Sequence, residues 1–360
     1  MFSGDEQRYC FLAEWFDPVT CYLKRFRLVV FPKDESVEMY DIEKRRIFLK
    51  RTKCSNIIPE NWSVGSCVNI LSRHLKLIDY GDSPTRQKFQ STESVLVVIT
   101  NAGFSKLGLP IDTFPKNGLQ IIKAKMMSVC PEKAAVFCSS HEKCTVEDVC
   151  TGNVLVMQIR GEDAVTKWQN LFKSYPEELQ NTCYGSHSPA VVSKELELFF
   201  PSTEKTHHCS TATFKDCTCC IIKPHAVQEG KAGHIIQSII DSGFTISALE
   251  MFNLSKKAAQ EFYEVYAGVL AEYLDMVSQL ISGPCIVMEI ISKQGPDTPK
   301  LFWELVGPHD PEIARLLRPH TLRAKFGTDK VKNSVHCTDL PEDGILEVEY
   351  FFKVLVQEQN

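Results

Sequence analysis

Two long stretches of this chain answer each other. VLVVITNAGFSKLG…NGLQIIKAKMMSV at 95–129 is echoed by CCIIKPHAVQEGKAGHIIQSIIDSGFTISALEMFNL at 219–254. VLVMQIRGEDAVTKWQNLF at 154–172 is echoed by CIVMEIISKQGPDTPKLFWELV at 285–306, and ELELFF at 195–200 by EVEYFF at 347–352. Self-similarity of this kind means that one folding unit is used twice. Each copy reads strand, helix, strand, helices, strand, helix, strand, with helices covering an antiparallel sheet. The polar, turn-rich stretches 83–93 and 201–216 mark the boundaries. The copies are unequal: Thr100 to Phe200 is 101 residues, Lys223 to Phe352 is 130. Most of the shortfall lies between the third strand and the closing helix. A working site there in the second copy has no counterpart in the first.

The first 90 residues read differently. YCFLAEWF, CYLKRFRLVVF, VEMYDI, RRIFLKR and VNILSRHLKLIDY are short β-branched and aromatic runs, separated by turn signals at Asp17-Pro18, Pro32-Lys33-Asp34, Pro59-Glu60-Asn61 and Gly81-Asp82. Such spacing predicts a small barrel or sandwich. This segment carries 15 Lys/Arg against 12 Asp/Glu, a balance of +3 that leaves −8 for residues 91–360. Its bases crowd into Lys44, Arg45, Arg46, Lys50, Arg51 and Lys53. They suit a solvated strand edge that discourages edge pairing, or a footprint for an acidic partner.

The whole chain sums to −5, so bulk electrostatics do not favour nucleic acid. No apolar run approaches a membrane span, and MFSGDEQRYCFLAEWF lacks the basic start and apolar core of an export signal. Fifteen cysteines in a chain of this size are expected as reduced cytosolic thiols. The Cys217, Cys219, Cys220 cluster, with Cys209 and His207–His208 upstream, departs from zinc-ligand spacing. Thr218 to Ile222 reads instead as a buried strand.

Chemistry concentrates in RPHTLRAKFGTDKVKNSVHCTDLPEDGILEVEYFF, residues 318–352. His336 is followed by Thr338-Asp339 and, eleven residues on, by Glu347. An imidazole attacks phosphorus only through an unprotonated nitrogen, and a carboxylate accepting from the other nitrogen fixes that tautomer. Glu347 meets that need if the chain turns from loop to helix between them. Lys223, Arg323 and Asn333 are donors for an anionic substrate.

The segment N-x-x-H-x-[ST]-D, with T-L-R-x-x-F-G before it and I-K-P-x-x-V upstream, closely resembles the nucleoside diphosphate kinase family. The N-terminal segment resembles the DM10 module, which has a pleckstrin-homology-like fold. The resemblance implies an α+β chain of three parts: a DM10 domain over 1–90, a shortened ferredoxin-like kinase domain over 94–201 and a second over 215–355. It further implies ping-pong transfer of a γ-phosphate with Mg²⁺ on the ATP phosphates and no direct metal ligand from the chain. By the same resemblance His336 is the nucleophile and Glu347 orients it. Lys223 and Arg323 hold phosphates, Asn333 contacts the sugar, Thr338 keeps the family's hydroxyl and Tyr266 lies near the nucleophile.

Several positions depart from the family pattern. Its phosphate-binding arginine falls at Trp303, the Thr of its G-x-T-N-P turn at His309, the Asp of K-P-D at His225 and the Gly after the nucleophile at Cys337. His309 or Arg315 is the candidate to compensate for the lost arginine. In the first copy Tyr184 stands at the nucleophile's place and Thr100 at the lysine's, so that copy is expected to be catalytically dead. Chains with this layout are associated with ciliary doublet microtubules, as inner-wall proteins, and with the γ-tubulin complex. The leading expectation is therefore a structural protein of the flagellar or ciliary axoneme whose partners are tubulin and other inner proteins. Such a chain sits in the cytoplasm, cytoskeleton or centrosome and keeps a residual nucleotide site. The alternative is a kinase, or a weak autophosphorylating kinase, acting through His336. A nucleotide sensor without turnover is a third reading. The two copies are expected to pack on each other as a pseudo-dimer within a monomer.

Overall fold

The computed structural model describes residues 8–356 apart from 18–19, 55–63, 66, 72, 91, 202–209 and 294–296. The turn signals at Pro18 and Pro59–Asn61, and Cys209 with His207–His208, lie outside the described residues. The chain divides into two compact units, Met1–Thr92 and Glu93–Asn360.

The first unit is a six-stranded sheet in the order β4-β3-β2-β1-β6-β5. Its strands are β1 (Tyr9–Asp17), β2 (Tyr22–Phe31), β3 (Ser36–Asp41), β4 (Arg46–Lys53), β5 (Cys67–Ile70) and β6 (Arg73–Tyr80). All its pairings are antiparallel. Phe11, Ala13, Phe26, Leu28 and Val30 alternate along β1 and β2 into one core, as period-2 patterning requires. The stretch expected as a polar boundary is in part helical. α1 (Ser83–Gln90) drops Phe89 onto Tyr9 and Phe11, with ring centroids 5.1 and 5.3 Å apart. One buried aromatic among polar residues is too small a signal to show as periodicity. Arg46, Lys50, Arg51 and Lys53 of the basic run fall on β4, an edge strand bulged against β3, and Lys44 and Arg45 on the turn before it; charge there discourages pairing with another chain.

The second unit contains both copies. The first runs through β7 (Thr92–Thr100), α2 (Gly108–Lys116), β8 (Gln120–Ser128), α3 (Pro131–Cys138), α4 (Val146–Cys150), β9 (Asn153–Glu162), α5 (Ala164–Ser174), α6 (Glu177–Gln180), β10 (Cys183–Gly185) and α7 (Pro189–Phe199). The second runs through β11 (Cys217–Ile222), α8 (Pro224–Gln228), α9 (Ala232–Asp241), β12 (Phe244–Phe252), α10 (Lys256–Phe262), α11 (Tyr273–Leu280), β13 (Cys285–Ser292), α12 (Thr298–Val306), α13 (Pro311–Leu317), α14 (Leu322–Phe326), β14 (Val335–Cys337) and α15 (Gly344–Glu349). The closing strand of each copy is thus the short CYG or VHC. ELELFF and EVEYFF, which alternate like strands, are helical. Pro189 starts α7 after Ser188, and Val192, Glu195 and Phe199 bury at helical spacing.

The strands form one sheet, β10-β7-β9-β8-β12-β13-β11-β14. Read outward from its middle, the second copy's order β12-β13-β11-β14 repeats the first copy's β8-β9-β7-β10. β8 and β12 meet at Lys125 and Glu250, whose side chains pair at 3.0 Å. One core lies across both copies: Val95, Val97, Ile99 and Phe114 pack with Ile222, Ile235, Ile236 and Ile239. On the opposite face each copy has its own core, around Phe137 and Phe199 in the first and around Phe252, Phe262 and Phe351 in the second.

The helices α2 and α9 cross at glycine. A Cβ at Gly108 would stand 2.4 Å from the Gly233 carbonyl, and one at Gly233 would stand 2.4 Å from the Asp112 nitrogen. The obstacles are backbone, which cannot swing aside. Gly233→Val is therefore expected to destabilise the second unit by about 1–3 kcal/mol, read as a lower denaturant midpoint. An unchanged midpoint would contradict the tight crossing.

Cys217, Cys219 and Cys220 lie buried in β11, as expected of a core strand. The expectation of reduced thiols fails at Cys138 and Cys144, which are joined by a disulfide across the turn after α3. The turn brings those two thiols together, a proximity that sequence spacing alone did not signal.

Candidate phosphoryl-transfer site

β11 is buried from end to end and its alternation sorts the site. Cys220 and Ile222 face the shared core, while Cys219 and Ile221 face the second copy's own core. β14 pairs antiparallel beside it with His336 opposite Ile221, so the imidazole stands on the second copy's own face. Phe262 meets it edge-on at 5.0 Å and Tyr263 at 6.0 Å. After β14 the chain makes a 3-10 turn at Pro341–Asp343 and enters α15. That turn brings Glu347 back over the strand.

One Glu347 oxygen serves two donors. His336 Nε2 lies 3.0 Å from Oε2, and Thr338 Oγ1 donates to the same atom at 2.8 Å. Thr338 in turn accepts from the Cys219 N–H at 3.1 Å, which fixes its hydroxyl toward the acid. With the carboxylate accepting, Nε2 carries the proton and Nδ1 keeps its lone pair. This is the tautomer a phosphoryl acceptor needs.

The anion-binding groups converge from the ends of neighbouring elements. Lys223 follows β11, is 1% exposed, and donates to the Val331 carbonyl at 3.0 Å. Burial, then the Arg323 charge, pulls its pKa down to about 7. Arg323 on α14 donates Nε to the Val335 carbonyl at 3.1 Å and Nη1 to the Gly307 carbonyl at 3.0 Å. Asn333 donates to the His309 carbonyl at 3.1 Å, while its buried Oδ1 has no hydrogen-bond partner among the described residues. An unpaired buried acceptor is costly, and a hydroxyl of a bound sugar would satisfy it.

Other sequence expectations change. His309 lies beside Asn333, but burial first and the Arg323 charge second hold its pKa down at about 4. It is neutral near pH 7 and does not replace a lost cation. Arg315 is exposed and donates to the Gly327 carbonyl at 3.0 Å. Tyr266 was placed beside the nucleophile. The structure sets Tyr263 there, fully buried, its hydroxyl without a hydrogen-bond partner among the described residues. Tyr266 follows in the 3-10 turn Glu264–Tyr266 and donates to Asp339 at 2.5 Å. The tighter turn after α10 shifts the phase by which a tyrosine reaches the histidine. Trp303, at the arginine position, is 37% exposed with the Arg318 guanidinium 5.6 Å over its ring. That cation was not anticipated, since nothing in the spacing ties it to Trp303.

The depressed Lys223 gives a pH prediction. A phosphate held against it favours its charged form, so binding takes up a proton above pH 7. Affinity for ADP through this group should be greatest below about pH 7 and fall by up to about tenfold per unit above it. Calorimetric titration between pH 7.5 and 9 checks this, and Lys223→Arg, always charged, should flatten the profile.

A histidine held by a carboxylate beside buried cationic donors is the arrangement of a nucleoside diphosphate kinase-type site. The nucleoside diphosphate kinase family pattern matches residues 216–355. The nucleoside diphosphate kinase of Aquifex aeolicus is 38% identical over 38% of this chain and 94% of its own length. Over nearly the whole chain the likeness is narrower. Nucleoside diphosphate kinase homolog 7 of Rattus norvegicus is 44% identical, covering 98% of this chain and 95% of the relative. The Mus musculus homolog 7 matches at the same identity and coverage. The chain belongs to the nucleoside diphosphate kinase homolog 7 family.

Proposed function

We propose that the second copy transfers the γ-phosphoryl group of a nucleoside triphosphate through His336. The observation that carries this is the His336–Glu347–Thr338 hydrogen-bond set in one site with Lys223, Arg323 and Asn333. The Nδ1 lone pair attacks the γ-phosphorus, the bond to the bridging oxygen breaks, and the diphosphate leaves. Glu347 holds the Nε2 proton and stabilises the positive charge on the ring. Lys223 and Arg323 balance the phosphate charge, and Asn333 offers Oδ1 to the sugar. A second diphosphate reverses the sequence. Mg²⁺ bound on the nucleotide would neutralise phosphate oxygens, and Lys223 and Arg323 would hold the complexed phosphates. With Trp303 in place of an arginine, turnover is expected to be slow. GTP formation from ATP and GDP by the full chain, lost in His336→Ala, tests this reading. Equal GTP formation by both proteins would sink it.

A second reading has its own observation. The first copy keeps its cores and shares one with the second, while Tyr184 and Thr100 stand where nucleophile and lysine belong. Packing retained where the kinase residues are lost suits a binding surface. We infer that the chain also serves as an inner protein of ciliary and flagellar doublet microtubules, contacting tubulin and neighbouring inner proteins. Its first unit, read as a DM10 domain, offers the basic edge strand β4 to an acidic surface. An association with the γ-tubulin complex at the centrosome belongs to the same reading. In cilia lacking the native protein, His336→Ala should incorporate into doublets like the wild type. Failure of that variant to incorporate would tie placement to the chemistry.

A further inference from the structure

The first copy has lost its nucleophile but not the machinery around it. Tyr184 on β10 occupies the place of His336 on β14, and Glu195 on α7 follows it by the spacing that separates Glu347 from His336. Ser186 matches Thr338, and its hydroxyl donates to Glu195 Oε2 at 2.5 Å as Thr338 does to Glu347. The carboxylate oxygen left over is not idle. Oε1 lies 2.8 Å from Nε2 of His141, an imidazole that enters from the turn after α3. The carboxylate-held histidine is present again, delivered by a different element.

The setting of the two rings is alike. Phe262 of α10 packs against His336 in the second copy, and Phe137 of α3 packs against His141 at 4.4 Å in the first. The His141 side chain is 9% exposed and that of His336 6%, so solvent reaches both to the same small extent. The turn holding His141 is fixed by backbone bonds from His141 to Cys138 and from Cys144 to His141, each 3.0 Å. Beside it stand the exposed His187, its ring centroid 6.0 Å away, and Tyr184 at 6.2 Å. Lys143 is exposed in the same turn.

We propose that His141 is a second phosphohistidine site, one that takes its phosphoryl group from a small donor rather than from a nucleotide. With Glu195 accepting from Nε2–H, Nδ1 bears the lone pair. It attacks the phosphorus of a donor such as phosphoramidate, the P–N bond of the donor breaks, and ammonia leaves with that electron pair. Nε2 keeps its proton on Glu195. A nucleotide is excluded as donor because Thr100 stands at the lysine position. The first copy also passes from β9 to β10 through α5 and α6 alone, without a counterpart of the segment that carries Arg323 and Asn333.

The test is phosphoramidate labelling of the full chain, with acid-labile label mapped under alkaline conditions. His336→Ala should still label at His141, at least about tenfold faster than at the exposed His187 or His320. His141→Gln should lose that label. Because His141→Gln removes a buried hydrogen bond, Glu195→Gln serves beside it. The amide donates to Nε2, moves the proton to Nδ1, and should slow labelling at least about tenfold with the fold intact by circular dichroism. Label on His187 or His320 but not on His141, or labelling unaffected by Glu195→Gln, overturns the proposal. The donor bypasses the nucleotide site, so failure here is separate from failure of kinase activity at His336.

Discussion

Replacing Trp303 by arginine is expected to raise phosphoryl transfer from ATP to GDP by about 10²–10³-fold. Transfer of a phosphoryl group asks the protein mainly for positioning and charge, since the metaphosphate-like transition state spreads charge over its equatorial oxygens. In the proposed site Lys223 and Arg323 are the groups to supply that charge. Burial and the Arg323 charge hold the Lys223 pKa down at about 7, and His309, held down at about 4, adds no charge near neutrality. The tryptophan leaves one donor missing, and the Arg318 guanidinium lies over its indole face. An arginine at 303 returns a fixed charge to α12, and releases Arg318 to solvent. Steady-state GTP formation by Trp303→Arg beside the wild type reads the gain. No change would show that charge at this position does not limit the reaction.

The second large effect is Glu347→Gln, expected to slow phosphohistidine formation by about 10⁴-fold, as an amide in place of the carboxylate does in the serine-protease triad. The substitution keeps shape and volume. It puts an N–H where an acceptor stood, so His336 turns its lone pair toward the amide and its proton toward the phosphate. Thr338, which donates to that same atom, then meets the amide N–H and turns to accept from it. The fold should therefore hold, with a melting temperature near that of the wild type. Rapid-quench measurement of the first turnover reads the effect. A loss under tenfold would mean that the carboxylate is not setting the tautomer.

The site was largely legible in the sequence because its geometry is local. Three residues of β14, one turn and the first turns of α15 bring His336, Thr338 and Glu347 together, and an eleven-residue spacing encodes that path. Lys223 and Arg323 were legible because a strand end and a helix start are short motifs. What depended on the phase of a turn was not. Tyr263 and Tyr266 are three residues apart, and only the 3-10 turn after α10 decides which one meets the imidazole. His141 was invisible for a related reason. Its partner Glu195 lies 54 residues away on another helix, and no spacing rule connects them.

The fold shows the same division. The repeat and its apolar strands were plain, and so was the β character of the first unit. The acidic–apolar alternation of ELELFF and EVEYFF imitates a strand, and the start signal at Ser188-Pro189 with burial every third or fourth residue outweighs it. The join between copies, through Lys125 with Glu250 and the glycines of α2 and α9, needed both copies in view at once.

His336, held by Glu347, is proposed as the phosphoryl acceptor of the second copy. That role is tested most directly by treating the full chain with γ-labelled ATP and Mg²⁺, digesting at alkaline pH and locating the phosphate by mass spectrometry. The expected result is one acid-labile phosphate per chain, on His336, absent in His336→Ala and discharged by GDP. Phosphate on any other residue, or label that persists in His336→Ala, would contradict it.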